Sequence, residues 1–231
     1  MTKKKSGPPA RFKDLCIDAV DIEEAAKFWS VALGLEINRP EGEIELVGPS
    51  AEHSIWVNQV PEAKTVKNRV HLDVRTGSLA ELVELGAAEV APVRNWTVMT
   101  DPDGQEFCAF VRKRPPEYRL FDLVVDAQDP RTIATWWAEV LGGHSPIYER
   151  GYCDVAGIEN LPWRKFTFLL VPEPKTVKNR VHWDVIADPD ELVARGATLL
   201  RAKSGDTNWH VLADPEGNEF CVWEPSAGKG R

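Results

Sequence analysis

From residue 14 onward the chain alternates, with Leu15, Ile17 and Ala19 on one side of an extended stretch and Asp14, Cys16 and Asp18 on the other. This period of two marks a strand with two unlike faces. Asp21 and Glu24 follow at capping-box spacing, and Ile22, Ala26, Trp29 and Leu33 recur at helical spacing before Gly34. The pattern predicts a helix that opens at Asp21 and stops at Gly34. Short strands are expected near 36–39, 43–48 and 54–60. A second cycle has a strand at 69–75, a helix at 78–85 closed by Gly86, and further strands ending at 107–112. The rhythm is strand, helix, three strands. Helices on one face of a largely antiparallel sheet leave the other face free to curve around a cavity, an α+β architecture.

The whole pattern then occurs again. Residues 64–71, Lys-Thr-Val-Lys-Asn-Arg-Val-His, recur unchanged at 175–182, an offset of 111. Asp-Pro-Asp-Gly-Gln-Glu-Phe-Cys at 101–108 matches Asp-Pro-Glu-Gly-Asn-Glu-Phe-Cys at 214–221, offset 113, and Asp14 with the helix start at Asp21 matches Asp122 with Asp129-Pro130, offset 108. Such offsets indicate a duplicated unit with small insertions. Pro115-Pro116 among charged residues at 112–119 reads as the linker. The expected organisation is a disordered tail at 1–9 followed by domains at 10–113 and 118–226. Each domain contains paired βαβββ modules and is expected to fold separately around its own core.

Alternation also assigns faces to the chemistry. In strand 69–75, Val70, Leu72 and Val74 pack toward the helix, leaving Arg69, His71, Asp73 and Arg75 opposite; the second copy places Arg180, His182 and Asp184 there. Phe107 and Phe220 point toward the helices, so Glu106 with Cys108 and Glu219 with Cys221 point to the cavity. Each half thus gathers carboxylates, an imidazole and a thiol on its concave face, either as a ligand or metal site or as a hydrogen-bonded structural network. Glu106 and Glu219 are candidate general bases, with ion pairing to a neighbouring Lys or Arg as the alternative. Trp29 and Trp137 belong to the core by helical phase. Trp223 shares parity with Cys221 and is expected to line the cavity and stack on a flat ligand. The repeated Lys-Thr-Val-Lys-Asn-Arg run reads either as a solvated connector or as a cationic rim favouring anions.

Composition narrows the function classes. With a formal net charge of −8 over 231 residues, general nucleic-acid or anionic-membrane binding is disfavoured. No apolar run is long enough to cross a bilayer, and the basic first residues are not followed by the apolar stretch of a secretory signal. The four cysteines form no Cys-x-x-Cys pair and are expected as free thiols in a cytoplasmic protein. The expected partner is a small molecule, and the expected state is a monomer or homodimer.

Taken together, the Asp14 strand, the helix from Asp21 through Trp29 into Leu33-Gly34-Leu35, the Arg69-Val70-His71-Leu72-Asp73-Val74 strand and the Asp101-Pro102-Asp103-Gly104 turn resemble the vicinal oxygen chelate superfamily. That superfamily includes glyoxalase I, extradiol dioxygenases and bleomycin-resistance proteins. The resemblance covers nearly the whole chain, twice, and implies one divalent-metal position per half. The implied ligands are Asp14, His71 and Cys108 in the first half and Asp122, His182 and Cys221 in the second. Cysteine at a position where the family carries glutamate disfavours iron or nickel and favours zinc, weakly bound, or no metal. The resulting expectation is a glyoxalase-like small-molecule enzyme of lyase or isomerase type; the alternative is a non-catalytic protein that sequesters a drug or metabolite. His71, His182, Asp73, Asp184 and Trp223 are the expected ligand contacts, and Glu106 and Glu219 the expected catalytic groups.

Overall fold

A computed structural model describes residues 7–144, 146–149, 151–205 and 207–225. Residues 1–6 of the expected tail and residue 226, the expected end of the second domain, lie outside them. The first module comprises β1 (Ala10–Ala19), α1 (Ile22–Leu33), β2 (Glu36–Asn38), β3 (Ile44–Val47) and β4 (Ile55–Gln59). The second comprises β5 (Val70–Thr76), α2 (Leu79–Glu84), β6 (Ala88–Val93), β7 (Trp96–Thr100) and β8 (Glu106–Val111). The third comprises β9 (Leu120–Ala127), α3 (Pro130–Leu141), β10 (Ile147–Glu149), β11 (Tyr152–Ala156) and β12 (Lys165–Leu170). The fourth comprises β13 (Val181–Ala187), α4 (Pro189–Ala194), β14 (Thr198–Arg201), β15 (His210–Ala213) and β16 (Glu219–Trp223).

Local signals placed the helices well. The Asp21 carboxylate accepts from the backbone N–H groups of Glu23 and Glu24, and Asp129 does the same for Thr132. Both long helices end on a left-handed glycine, Gly34 and Gly142, each at φ 70°, a conformation open to glycine at little cost.

The modules pair differently from the expected arrangement. Sheet 1 runs β14-β15-β16-β13-β1-β4-β3-β2, and sheet 2 runs β10-β11-β12-β9-β5-β8-β7-β6. Each eight-stranded sheet therefore takes one module from each half: the first with the fourth, the second with the third. β1 lies antiparallel to β13, with Asp14 opposite Asp184, Leu15 opposite Trp183 and Cys16 opposite His182. β5 lies antiparallel to β9, with His71 opposite Val124 and Asp73 opposite Asp122. The expectation that each half folds around its own concave sheet is thereby corrected.

The reason lies in the helices. α1 buries Ala25, Ala26, Phe28, Trp29, Ala32 and Leu33, an apolar stripe that two sheets share. It packs on β3 and β4 of sheet 1 and also on β5 of sheet 2. Modules of one half therefore meet through helix-face contacts, and their sheet edges remain open for modules of the other half. Trp29 sets its ring 5.4 Å from Phe107 of sheet 2, and its indole N–H donates to Asp101 Oδ2 at 2.9 Å. The second half repeats this, with Trp137 5.1 Å from Phe220 and its N–H 3.0 Å from Asp214 Oδ2. All six residues are buried, and a buried indole N–H needs such an acceptor.

Expressed alone, residues 117–225 would expose the edges of β9 and β13 that normally pair with β5 and β1. Unpaired apolar edges self-associate, so sedimentation is expected to show dimers or larger species. A monodisperse monomer with a cooperative thermal transition would contradict the exchanged pairing.

Candidate functional site

Strand exchange regroups the chemistry. On sheet 1, Cys16 of the first half faces His182, Asp184, Cys221 and Trp223 of the second around a cavity of about 380 Å³, and Asp14 is buried in register with Asp184. On sheet 2, His71, Asp73 and Cys108 of the first half share a cavity of about 530 Å³ with Asp122 of the second. The expected ligand positions meet across the halves: Asp14 stands opposite Asp184 and on a different sheet from His71, and Asp122 stands opposite Asp73 and on a different sheet from His182. The cause is the pairing of β1 with β13 and of β5 with β9, which puts first-strand residues of opposite halves side by side.

Within each cavity three donors converge. On sheet 2, His71 Nε2 lies 3.7 Å from Asp73 Oδ1, and Cys108 Sγ completes a group whose ligand atoms all lie within 4.8 Å. On sheet 1 the group within that distance is Cys16, His182 and Asp184. There His182 Nε2 is 3.9 Å from Asp184 Oδ1, and the Cys16 thiol donates to the same oxygen at 3.7 Å. Cys16 escaped the ligand set although its parity placed it on the concave face; the signal that finds it is its register opposite His182. The equivalent residue on sheet 2 is Val124, so the two groups share their donor types but take the cysteine from different strands, β1 on sheet 1 and β8 on sheet 2.

Burial dominates the electrostatics. It pushes the His71 imidazole down to about 3, helped by the nearby Lys67, and it lowers His182 as well. Both rings are therefore neutral and carry a lone pair at neutral pH. Burial, with Asp122 opposite, raises the Asp73 carboxyl to about 7. Burial, with Asp184 opposite, raises Asp14 to about 6. The Cys108 and Cys221 thiols are pushed well up by burial and by Asp73 and Asp184 respectively. Asp122 is clamped by Arg164, with Nε 3.1 Å from Oδ1 and Nη2 2.6 Å from Oδ2, which leaves its neighbour Asp73 as the carboxylate of the sheet 2 donor group.

Glu106 and Glu219 line the cavities, but both oxygens of each are engaged. Lys64 Nζ donates to Glu106 Oε1 at 2.7 Å and the Asn68 N–H to Oε2 at 3.0 Å; Lys175 and Asn179 hold Glu219 at 2.6 and 3.2 Å. Burial alone would raise Glu106, yet Lys64 and the Asn68 N–H outweigh it and leave the group below the ordinary carboxylate range. An ion-paired carboxylate of this kind is a weak base. The two repeated motifs therefore fasten to each other, since the Lys-Thr-Val-Lys-Asn run closes on the glutamate that opens each last strand.

The cavity walls are aromatic. Trp223 stacks on Trp209 at 5.1 Å and donates its N–H to Asp184 Oδ2 at 2.7 Å, while Lys13 Nζ sits 4.5 Å above its ring. The counterparts on sheet 2 are Phe110 and Trp96, stacked at 5.6 Å. Phenylalanine has no N–H to offer, and Asp73 Oδ1 is buried without a hydrogen-bond partner among the described residues.

This isolation has a pH consequence. The folded-state value of Asp73 is raised to about 7 from 3.8, so the folded protein holds the proton more tightly, and this group's stabilising contribution is lost as pH rises between those values. In metal-free protein, Asp73→Asn should gain stability over wild type on going from pH 5 to pH 8, by about 2–4 kcal/mol. Urea unfolding at the two pH values measures it. A difference that does not change with pH would place Asp73 in a solvated environment.

The comparisons agree with this architecture. The model of the glyoxalase-like domain matches twice, over residues 14–110 and 122–223. Among solved structures, glyoxalase I from Zea mays superposes with a TM-score of 0.64 at 14% identity, covering 93% of this chain and 92% of that one. A putative dioxygenase from Bacillus subtilis gives 0.64 at 12% identity, covering 96% and 87%. The cppA protein from Streptococcus pneumoniae gives 0.51 at 11% identity, covering 94% and 100%. No curated protein matches in sequence. At these identities the structures speak for the fold alone, whereas the doubled domain match spans most of the chain. The chain belongs to the glyoxalase-like domain family, carrying two copies of the domain whose modules pair across the repeat.

Proposed function

We propose that this protein binds small molecules in two unlike cavities and acts on them as a glyoxalase-like lyase or isomerase, assisted by a divalent ion. The observation that carries this reading is the recurrence of one donor set, histidine, aspartate and cysteine, at the centre of both sheets. Neutral imidazoles are ready ligands, and Asp73 Oδ1 is a buried acceptor without a partner among the described residues. The mixture of nitrogen, oxygen and sulfur donors suits zinc better than iron or nickel. His71, Asp73 and Cys108 would hold the ion on sheet 2, and Cys16, His182 and Asp184 on sheet 1, with Cys221 next to Asp184. When bound, such an ion polarises an oxygen of the ligand. The chain's own part is to seat the ligand against Trp96 and Phe110, or Trp209 and Trp223, and to shield it from water. The thiols are protonated in the free protein, so binding an ion releases their protons.

A second reading, sequestration without turnover, is favoured by one observation: Lys64 and Lys175 neutralise the last-strand glutamates. Cobalt(II) titration separates the readings. A thiolate-to-cobalt charge-transfer absorption is expected to saturate and to be displaced by zinc. Cys108→Ser should remove the sheet 2 share and Cys16→Ser the sheet 1 share, with zinc binding retained at the untouched site in each. Absence of the absorption in wild-type protein would overturn the metal-assisted reading and leave sequestration.

A further inference from the structure

A third cavity, of about 420 Å³, lies between the two copies of the repeated Lys-Thr-Val-Lys-Asn-Arg run. The cationic side chains Lys64, Lys67, Arg69, Lys178 and Arg180 line it, against the carboxylates Asp18 and Glu62. The lysines are matched: Lys64 pairs with Glu106, Lys67 with Asp126 at 2.6 Å, and Lys178 with Asp18. The arginines differ. Arg69 reaches across the repeat, donating from Nη1 to the Glu173 carbonyl at 2.6 Å and from Nη2 to the Asp126 carbonyl at 3.4 Å. Arg180 makes the reciprocal reach to the Glu62 carbonyl. Its nearest carboxylate oxygen is Asp103 Oδ2, 4.0 Å from Nη1. Arg69 Nε and Arg180 Nη1 are buried and have no hydrogen-bond partner among the described residues.

Two guanidinium groups with carbonyl partners and spare buried N–H groups form a site short of an anion. Unsatisfied donors of a fixed charge are costly to bury, and an oxyanion matches the planar donor fork of arginine. We infer that this third cavity binds a dianionic phosphate group, free or as a small phosphomonoester, between Arg69 and Arg180. The volume exceeds what a phosphate group fills, which leaves room for the body of an ester. The site is distinct from the sheet cavities yet adjoins both: Lys67 also lines the sheet 2 cavity, and Lys178 and Asp18 also line that of sheet 1.

The test uses the full chain. Thermal unfolding is followed with inorganic phosphate and, separately, glycerol phosphate, each against chloride at matched ionic strength. Both phosphates are expected to raise Tm saturably, and the tighter of the two identifies the source of the group. Arg69→Gln with Arg180→Gln should weaken the apparent affinity by about ten-fold or more, through loss of charge-assisted hydrogen bonds. If that double variant does not fold, Arg69→Lys with Arg180→Lys keeps both charges, loses both forks and should also bind more weakly than wild type. No saturable shift beyond chloride, or an affinity unchanged in a folded variant, would overturn the inference and reduce the arginines to braces between the halves.

Discussion

The pairing of β1 with β13 and of β5 with β9 is the constraint on which the rest of this structure depends. Antiparallel register between halves puts Cys16 opposite His182 and Asp73 opposite Asp122. The chemistry of each cavity is thus a joint product of segments from both halves of the chain. On sheet 1 the donor group itself is shared between the halves, Cys16 with His182 and Asp184, whereas on sheet 2 His71, Asp73 and Cys108 of the first half meet Asp122 of the second, because the two modules of one half join through helices instead of through strands.

Two devices make that pairing stable. The first is the buried tryptophan–aspartate bond, Trp29 to Asp101 and Trp137 to Asp214, which ties the long helix of one module to the turn before the last strand of the other. Loss of such a bond strands a buried donor or acceptor at a cost of about 1–3 kcal/mol. The second is the ion-paired glutamate at the start of each last strand, which closes the repeated lysine-rich run over the sheet end. Together they hold the strands bearing Cys108 and Cys221 beside the histidine strands, and this leaves the buried imidazoles and carboxyls of the concave face few compensating partners. The raised Asp73 and lowered His71 follow from that arrangement.

Much of this was legible in the sequence, for stated reasons. Caps at Asp21 and Asp129, the stops at Gly34 and Gly142, and the alternation around His71 and Asp73 depend on residues close in the chain, so helices, strands and faces followed directly. The duplication was readable because two motifs recur nearly unchanged. Partner choice was not, since strand alternation specifies which face is buried but not which edge a strand joins. The same gap hid Cys16, visible as a donor only once His182 stands opposite, and Arg164, whose clamp on Asp122 depends on the β9–β12 neighbourhood. The wide buried stripe of α1, with Phe28 and Ala32 beyond the expected face, was the clue that the helix serves two sheets.

The central claim is that each cavity is assembled across the repeat within one chain. Arg11 and Ile186 are directly opposed on β1 and β13, within the Cα separation a disulfide spans, about 4.4–6.8 Å. Oxidation of an Arg11→Cys, Ile186→Cys variant, read by peptide mapping of the monomeric fraction, tests it. The account predicts a linked peptide pair joining the two halves of a single chain. Failure to cross-link in folded monomer, or links formed only between chains, would contradict it.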